Sequence, residues 1–224
     1  VAESYADGFS PYTAQRTWSV AKSITGTLVG IAVKEGAVRT DASARIPEWA
    51  DEYAFNRRRQ ITLDNLLRMA SGLHSNTAGN RSDAVYFGGT AVTEETVHWP
   101  IEVKPGTRFR YANNDILLAM RSLRAALGEA RYKNFPATAL FDRIGMKHTV
   151  AGPQPAAGFG EGASFWLRNK VPGVPADTFS ANGNRGQFVV IVPSRNIVIV
   201  RRGEDQAGAP FDIAKFTADV LASV

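Results

Sequence analysis

The sequence predicts an α+β fold in which strands from the N- and C-terminal parts of the chain form one antiparallel sheet, flanked by helices, with a helical and loop subdomain inserted. Residues 1–9 alternate in a way typical of a strand, and the β-rich runs 187–192 and 197–201 surround a turn and predict a hairpin. Between these ends, apolar residues recur at helical spacing. The 224 residues are 44% hydrophobic and 21% charged, which is typical of a globular chain with one or two cores.

Two helices are predicted in the first third of the chain. Over 19–35 apolar residues recur at i, i+4 and i+7, and Gly36 ends the pattern, so this helix is expected to be mostly buried. The run 62–70 predicts a shorter helix that Thr62 can cap and Gly72 can end. Further helical segments are predicted over 115–127, 137–144 and 211–221.

The remaining stretches are expected to be mainly irregular. Residues 74–108 are rich in Asn, Gly, Thr and Ser, and long loops of this kind usually border a functional site. Within 151–187 the one regular element expected is a strand over 163–167. The chain is thereby divided into parts of one discontinuous unit, a sheet region of residues 1–18 and 151–224 and a mainly helical region of residues 19–150.

Composition excludes several chemistries. The chain has no cysteine, so disulfides, thiolate nucleophiles and cysteine-bound zinc are excluded. Its histidines, His74, His98 and His148, lack the spacing of a metal site, so no resident metal is predicted. No apolar run approaches the roughly 18–20 residues that a membrane-spanning helix needs.

The net charge and the first residues give little information about partners or compartment. The formal net charge is +5, but the basic residues are scattered, which favours a solvated surface over a nucleic-acid interface, the weaker alternative. Residues 1–5 show no basic or apolar leader. The compartment stays open between periplasmic or secreted and cytoplasmic, and so does the oligomeric state.

The first candidate motif opens the first predicted helix. Spacing of i,i+3 places the Ser19 hydroxyl and the Lys22 amine on one helix face. A buried lysine can lose its proton near neutral pH and activate a serine, and the helix N-terminus favours negative charge developing nearby. The alternative is a helix cap beside a surface lysine.

The second candidate motif is Tyr111-Ala112-Asn113, which follows a Pro-Gly turn and precedes a helix. Tyrosine can relay protons when a lysine stabilises its phenolate, and asparagine can bond both the lysine and a substrate amide. Tyr132-Lys133-Asn134 has the same spacing but is expected beyond a helix end, in charged surroundings, so the first motif is preferred.

The third candidate motif is the segment 182–187, directly before the predicted hairpin. Glycines there let the backbone approach a ligand, and the Gln187 N–H could form an oxyanion hole with that of Ser19. A glycine-rich turn that merely feeds the hairpin is the alternative.

In this order the three motifs resemble the S-x-x-K, Y-x-N and K-T-G or H-x-G boxes of the serine β-lactamase and penicillin-binding-protein superfamily. Segments 61–73, 105–113 and 140–146 resemble its class C-like branch. Gly186-Gln187 and the apolar run that follows are most similar to 6-aminohexanoate-dimer hydrolases and family VIII esterases.

The resemblance implies roles for individual residues. Ser19 would be the acylated nucleophile, Lys22 its proton acceptor and Tyr111 the proton relay. Asn113 would position substrate, and the N–H groups of Ser19 and Gln187 would form the oxyanion hole.

The third box departs from the family, because Asn184-Arg185-Gly186 stands where relatives carry Lys-Thr-Gly or a histidine before the glycine. Arg185 could replace the lysine as a carboxylate contact, yet β-lactams become the weakest substrate candidates.

The implied activity is hydrolysis of an amide or ester carbonyl through an acyl-enzyme, without metal or organic cofactor, in an enzyme of bacterial type. Substrates left open are short esters, linear amides such as aminohexanoate oligomers, D-amino-acid peptides and β-lactams. A non-catalytic binding or scaffold domain with the same fold is the alternative from another class. Compared with relatives, segments are expected to be missing before Val1 and near 150/151.

Overall fold

The computed structural model describes residues 1–50, 56–75, 95–149 and 165–224. Six α-helices and four strands are seen in these ranges. The helices are α1 (Val20–Lys34), α2 (Pro47–Ala50), α3 (Leu63–Leu67), α4 (Asn113–Leu127), α5 (Glu129–Pro136) and α6 (Ile213–Ala222). The strands are β1 (Trp166–Leu167), β2 (Phe179–Gly183), β3 (Gln187–Val192) and β4 (Ile197–Arg201).

The sheet runs in the order β1-β2-β3-β4, with every neighbouring pair antiparallel. Val192 pairs with Ile197 across a turn that Asn196 closes in the left-handed region, at φ 51°, a conformation that asparagine tolerates well. On one face of the sheet, α6 covers an apolar cluster of Val190, Val192, Ile199, Ile213 and Leu221.

Helix α1 lies between the sheet and the helical region, in contact with both β2 and α4. Leu28 and Ala32 are fully buried one turn apart, and Gly36 follows the helix at φ 74°, as expected for a helix end. The larger hydrophobic core gathers around α1, α3 and α4. Burial on two sides explains why α1 is apolar over most of its surface.

Helix α3 starts with a capping box. The Thr62 hydroxyl accepts the Asn65 N–H at 3.1 Å, and the Asn65 side chain accepts the Thr62 N–H at 3.1 Å. The backbone N–H groups of Thr62 and Asn65, which have no partner within the helix, are thus paired locally. The predicted helix start at Thr62 is confirmed, although regular helix ends at Leu67.

The α+β prediction with an antiparallel sheet and flanking helices is confirmed, with one correction. Residues 1–9 form no strand and are exposed, so the described sheet draws all its strands from the C-terminal part of the chain. The predicted hairpin matches β3 and β4. The strand expected over 163–167 appears as β1, while positions 163 and 164 lie outside the described residues, as do 76–94 of the predicted loop.

Three elements were not predicted, namely strand β2 and helices α2 and α5. Strand β2 contains Ser, Asn and Gly, which have low strand propensity, and it forms because β3 pairs with its whole length. Helix α5 holds Tyr132-Lys133-Asn134, so that motif lies inside a helix rather than beyond one. Within the described ranges, none of the helices is both long enough and apolar enough to cross a bilayer.

Candidate active site

The Ser19 hydroxyl and the Lys22 amine meet at the start of α1. The Lys22 Nζ lies 2.9 Å from the Ser19 Oγ, and Lys22 is only 2% exposed. Ser19 occupies the N-cap position, yet its side chain makes no capping hydrogen bond. The alternative of a helix cap beside a surface lysine therefore does not describe this pair.

Tyr111 and Asn113 also contact the Lys22 amine. Lys22 Nζ donates to the Asn113 Oδ1 at 3.0 Å and sits 5.0 Å from the centre of the Tyr111 ring. Asn113 is buried and Tyr111 is half-buried. Lys22 and Asn113 are thus in contact although 91 positions separate them in the sequence. An amine that faces an aromatic ring and an amide oxygen is held in a defined direction.

The backbone before Tyr111 is anchored to the segment that follows α3. The Arg110 N–H donates to the Met69 carbonyl at 2.9 Å, and the Gly106 N–H donates to the Ala70 carbonyl at 2.7 Å. Asn113 is the first residue of α4, so its side chain projects from a rigid helix end. These bonds place Tyr111 and Asn113 at a fixed junction between an extended segment and a helix.

The segment leading into Ser19 is tightly held by the sheet. A Cβ added to Gly183 would lie 2.5 Å from the Thr17 carbonyl oxygen and 3.2 Å from the Ser19 nitrogen, so glycine is needed for this approach. Trp18 adopts φ 47°, in the left-handed region. Strained residues of this kind persist only where their surroundings hold them, often at active sites.

The predicted third motif is near Ser19, but its side chains point to other partners. Arg185 is exposed, forms an ion pair with Glu204 and places its guanidinium 5.7 Å from the Trp18 ring centre. Gly186 backs onto the Arg201–Asp205 ion pair. The third motif therefore lies beside the segment that leads into Ser19 in two ways. The Arg185 guanidinium faces the Trp18 ring, and the hairpin backbone at Gly183 packs against Thr17 and Ser19.

Gln187 is buried opposite Gly183 in the β2–β3 register. Its Oε1 accepts from the Arg202 Nε at 2.7 Å, and the Arg202 Nη2 donates to the Arg16 carbonyl at 3.0 Å. Burial lowers the pKa of the Arg202 guanidinium. The Gln187 side chain thus links the sheet to the chain that precedes Trp18, a role that sequence reasoning, which considered its backbone N–H, did not anticipate.

The second Tyr-x-Asn motif lies elsewhere. Tyr132 packs against the hydrophobic core, and burial raises the pKa of its hydroxyl. Lys133 is 70% exposed at its side chain, 3.6 Å from the Glu129 carboxylate. Since this motif is part of a surface helix, tertiary structure selects Tyr111 and Asn113 from the two equivalent patterns.

The histidines do not converge. His74 Nδ1 lies 2.7 Å from the Glu102 carboxylate, and the His148 ring packs against Tyr12 at 5.9 Å. Across the described part of the chain, no three His, Asp or Glu side chains are grouped so as to hold a metal ion.

The family model described as Beta-lactamase matches residues 3–181 of the chain. The chain therefore belongs to the Beta-lactamase family, whose members are typically serine hydrolases. No curated protein matches it.

Solved structures share the fold at low sequence identity. A candidate 6-aminohexanoate-dimer hydrolase from Bacillus anthracis superposes with a TM-score of 0.65 at 16% identity, covering 99% of this chain and 74% of that one. A β-lactamase from Mycobacterium bovis gives 0.61 at 17% identity, with coverages of 93% and 86%. A β-lactamase/D-alanine carboxypeptidase from Yersinia pestis gives 0.64 at 14% identity, with coverages of 93% and 83%.

Proposed function

We propose that the protein is a serine hydrolase that cleaves an amide or ester carbonyl through a covalent acyl-enzyme on Ser19. The observation that carries this proposal is the buried Lys22 amine, 2.9 Å from the Ser19 Oγ. An uncharged amine at that distance can accept the hydroxyl proton. Membership of the Beta-lactamase family supports the same reaction class.

Acylation would start when Lys22 takes the Ser19 proton and Oγ attacks the carbonyl carbon. The oxyanion that forms would be held by the N–H groups of Ser19 and Gln187, at the point where Gly183 brings the hairpin against the Ser19 backbone. When the tetrahedral intermediate collapses, the bond to the leaving amine or alcohol breaks, and Tyr111 donates the proton that this group needs.

Deacylation would reverse the proton transfers. A water molecule attacks the acyl ester, the Tyr111 phenolate accepts its proton, and the Lys22 ammonium returns a proton to Ser19 as the acid leaves. Asn113 would hold the amine between these steps through its 3.0 Å hydrogen bond. It would also contact a substrate amide. Tyr111 and Lys22 thus each act once as acid and once as base.

The substrate would be a small amide or ester, with short esters and linear amides favoured over β-lactams. Arg185, the cation of the third motif, is engaged by Glu204, which weakens its availability for a β-lactam carboxylate.

Burst release of p-nitrophenol from a butyryl ester, with intact-mass detection of the acylated protein, tests the proposal. Ser19→Ala should abolish both the burst and the mass increase, while Lys22→Ala and Tyr111→Phe should lower turnover by about 10²–10⁴. Lys34→Ala, at the exposed end of α1, and Tyr132→Phe, in the second motif, are the matched controls and should keep wild-type rates.

Wild-type protein that shows neither burst nor acylation, with any ester, linear amide, D-peptide or β-lactam of the panel, would instead support the non-catalytic scaffold alternative. Acylation at a residue other than Ser19 would disprove the assignment of the nucleophile.

A further inference from the structure

A buried carboxylate lies two residues after Asn113, in the first turn of the same helix. Asp115, in the first turn of α4, is only 3% exposed. Its Oδ1 accepts from the Ser71 hydroxyl and from the Asn114 Nδ2, both at 2.7 Å, and its Oδ2 accepts the Ser71 N–H at 3.1 Å. A carboxylate that accepts three hydrogen bonds orients both chain segments that supply them.

The segment around Ser71 is the one that anchors the backbone before Tyr111. Met69 and Ala70 accept the N–H groups of Arg110 and Gly106, and the Gly72 carbonyl accepts the Glu102 N–H at 2.8 Å. Asp115 therefore ties α4, which starts at Asn113, to the strip of backbone that sets the position of Tyr111. Both side chains that flank the Lys22 amine depend on this junction.

Charged groups around Asp115 come from the 101–112 segment. Arg108 and Arg110 line with it a cavity of about 10 Å³, too small for more than one water molecule. Both arginines make ion pairs with Glu102, which also meets His74. Among the described residues no salt bridge reaches Asp115, although Arg110 is near enough to attract its charge.

This environment disfavours the ionised carboxylate. Burial raises the pKa of Asp115 from 3.8 to about 6, and the Ser71 hydrogen bonds and Arg110 only partly oppose the effect. Retaining an ionisable group at a stability cost is typical of functional sites. The Asn114 amide, the Ser71 hydroxyl and the Ser71 N–H all donate, so they match a carboxylate better than a protonated carboxyl.

We propose that ionised Asp115 is a positioning residue that holds Tyr111 and Asn113 against the Lys22 amine. The proposal rests on the function proposed above. A protonated carboxyl presents a hydroxyl where three donors converge, so the Ser71 segment shifts and the backbone before Tyr111 moves with it. Catalysis needs the ionised form of Asp115, whereas protonation of Asp115 increases the free energy of unfolding.

These two requirements give opposite pH trends. The folded state binds the Asp115 proton more tightly than the unfolded state, in which the pKa returns toward 3.8. The stabilising effect of protonation is therefore complete below the unfolded pKa and is lost as pH rises through about 6. Turnover should change in the other direction, falling as Asp115 becomes protonated.

The experiment compares wild type with Asp115→Asn and with Asp142→Asn, an exposed aspartate that serves as control. The kcat and KM values for a p-nitrophenyl ester and the free energy of unfolding are measured from pH 4.5 to 8. At pH 8 we expect Asp115→Asn to lose roughly 10- to 100-fold in kcat, with KM changed less. The ratio of wild-type to variant kcat should then decline below about pH 6, as the wild-type carboxyl becomes neutral.

Over the same range, the stability of wild type relative to Asp115→Asn should increase as pH falls. Ser71→Ala keeps the carboxylate but removes one of its donors, and it should also lower kcat. A kcat ratio that is near 1, or independent of pH, in a folded Asp115→Asn variant would overturn the positioning role. Wild-type protein without acylation would overturn this proposal together with the proposed function, so the two failures are distinguishable.

Discussion

Gly183 lies at the end of β2, against the backbone that leads into Ser19, and replacing it with alanine probes that approach directly. Its φ of −129° is extended and open to any residue, so only the space for a side chain is at issue. The added methyl group would lie 2.5 Å from the Thr17 carbonyl oxygen. Thr17 or the strand must retreat by about 1 Å to reach ordinary van der Waals contact.

A displacement of that size acts on catalysis more than on folding. The Ser19 nitrogen lies 3.2 Å from the same methyl position, so the proposed oxyanion donor moves with the Thr17 carbonyl. A misplacement of about 1 Å typically costs roughly 10²-fold in rate. Overpacking should cost about 1–3 kcal/mol in the free energy of unfolding. We expect kcat to fall by that factor, with a smaller change in KM.

The assay is burst and steady-state hydrolysis of a p-nitrophenyl ester, beside denaturant unfolding of the same samples. Gly30→Ala, in α1, is the matched control because a methyl group there meets nothing within 4 Å. It should keep the wild-type rate and gain about 0.5–1 kcal/mol from reduced chain entropy. A Gly183→Ala protein that is folded and turns over at the wild-type rate would refute the close-approach argument.

Two further predictions concern the helix start at Thr62 and the third motif. Thr62→Ala removes the acceptor of the Asn65 N–H and should lower the free energy of unfolding by about 0.5–2 kcal/mol without changing kcat; unchanged stability in urea unfolding would contradict the capping role. Arg185→Ala should leave stability within about 0.5 kcal/mol, because its side chain is exposed. Because Glu204 engages the guanidinium, the variant should change KM by less than about twofold both for an ester that carries a carboxylate and for a neutral ester. A severalfold rise in KM for the carboxylate ester alone would show that Arg185 does bind substrate carboxylates.

Local patterns predicted much of the architecture. The hairpin of β3 and β4, the cap at Thr62 and the length of α1 depend on residues close in sequence, so periodicity and turn chemistry were sufficient. The strand expected over 1–9 failed because alternation alone supplies no partner strand, whereas β2 forms without favourable propensity because β3 supplies one.

The sequence alone predicts the Ser19–Lys22 pair, because i,i+3 spacing on a helix brings two side chains together. Tertiary structure decided which tyrosine and asparagine join this pair, since Tyr111 and Tyr132 have the same local pattern. The Lys22–Asn113 and Ser71–Asp115 contacts join residues 91 and 44 positions apart. Contacts of that range depend on how helices and sheet pack, and no local spacing encodes them.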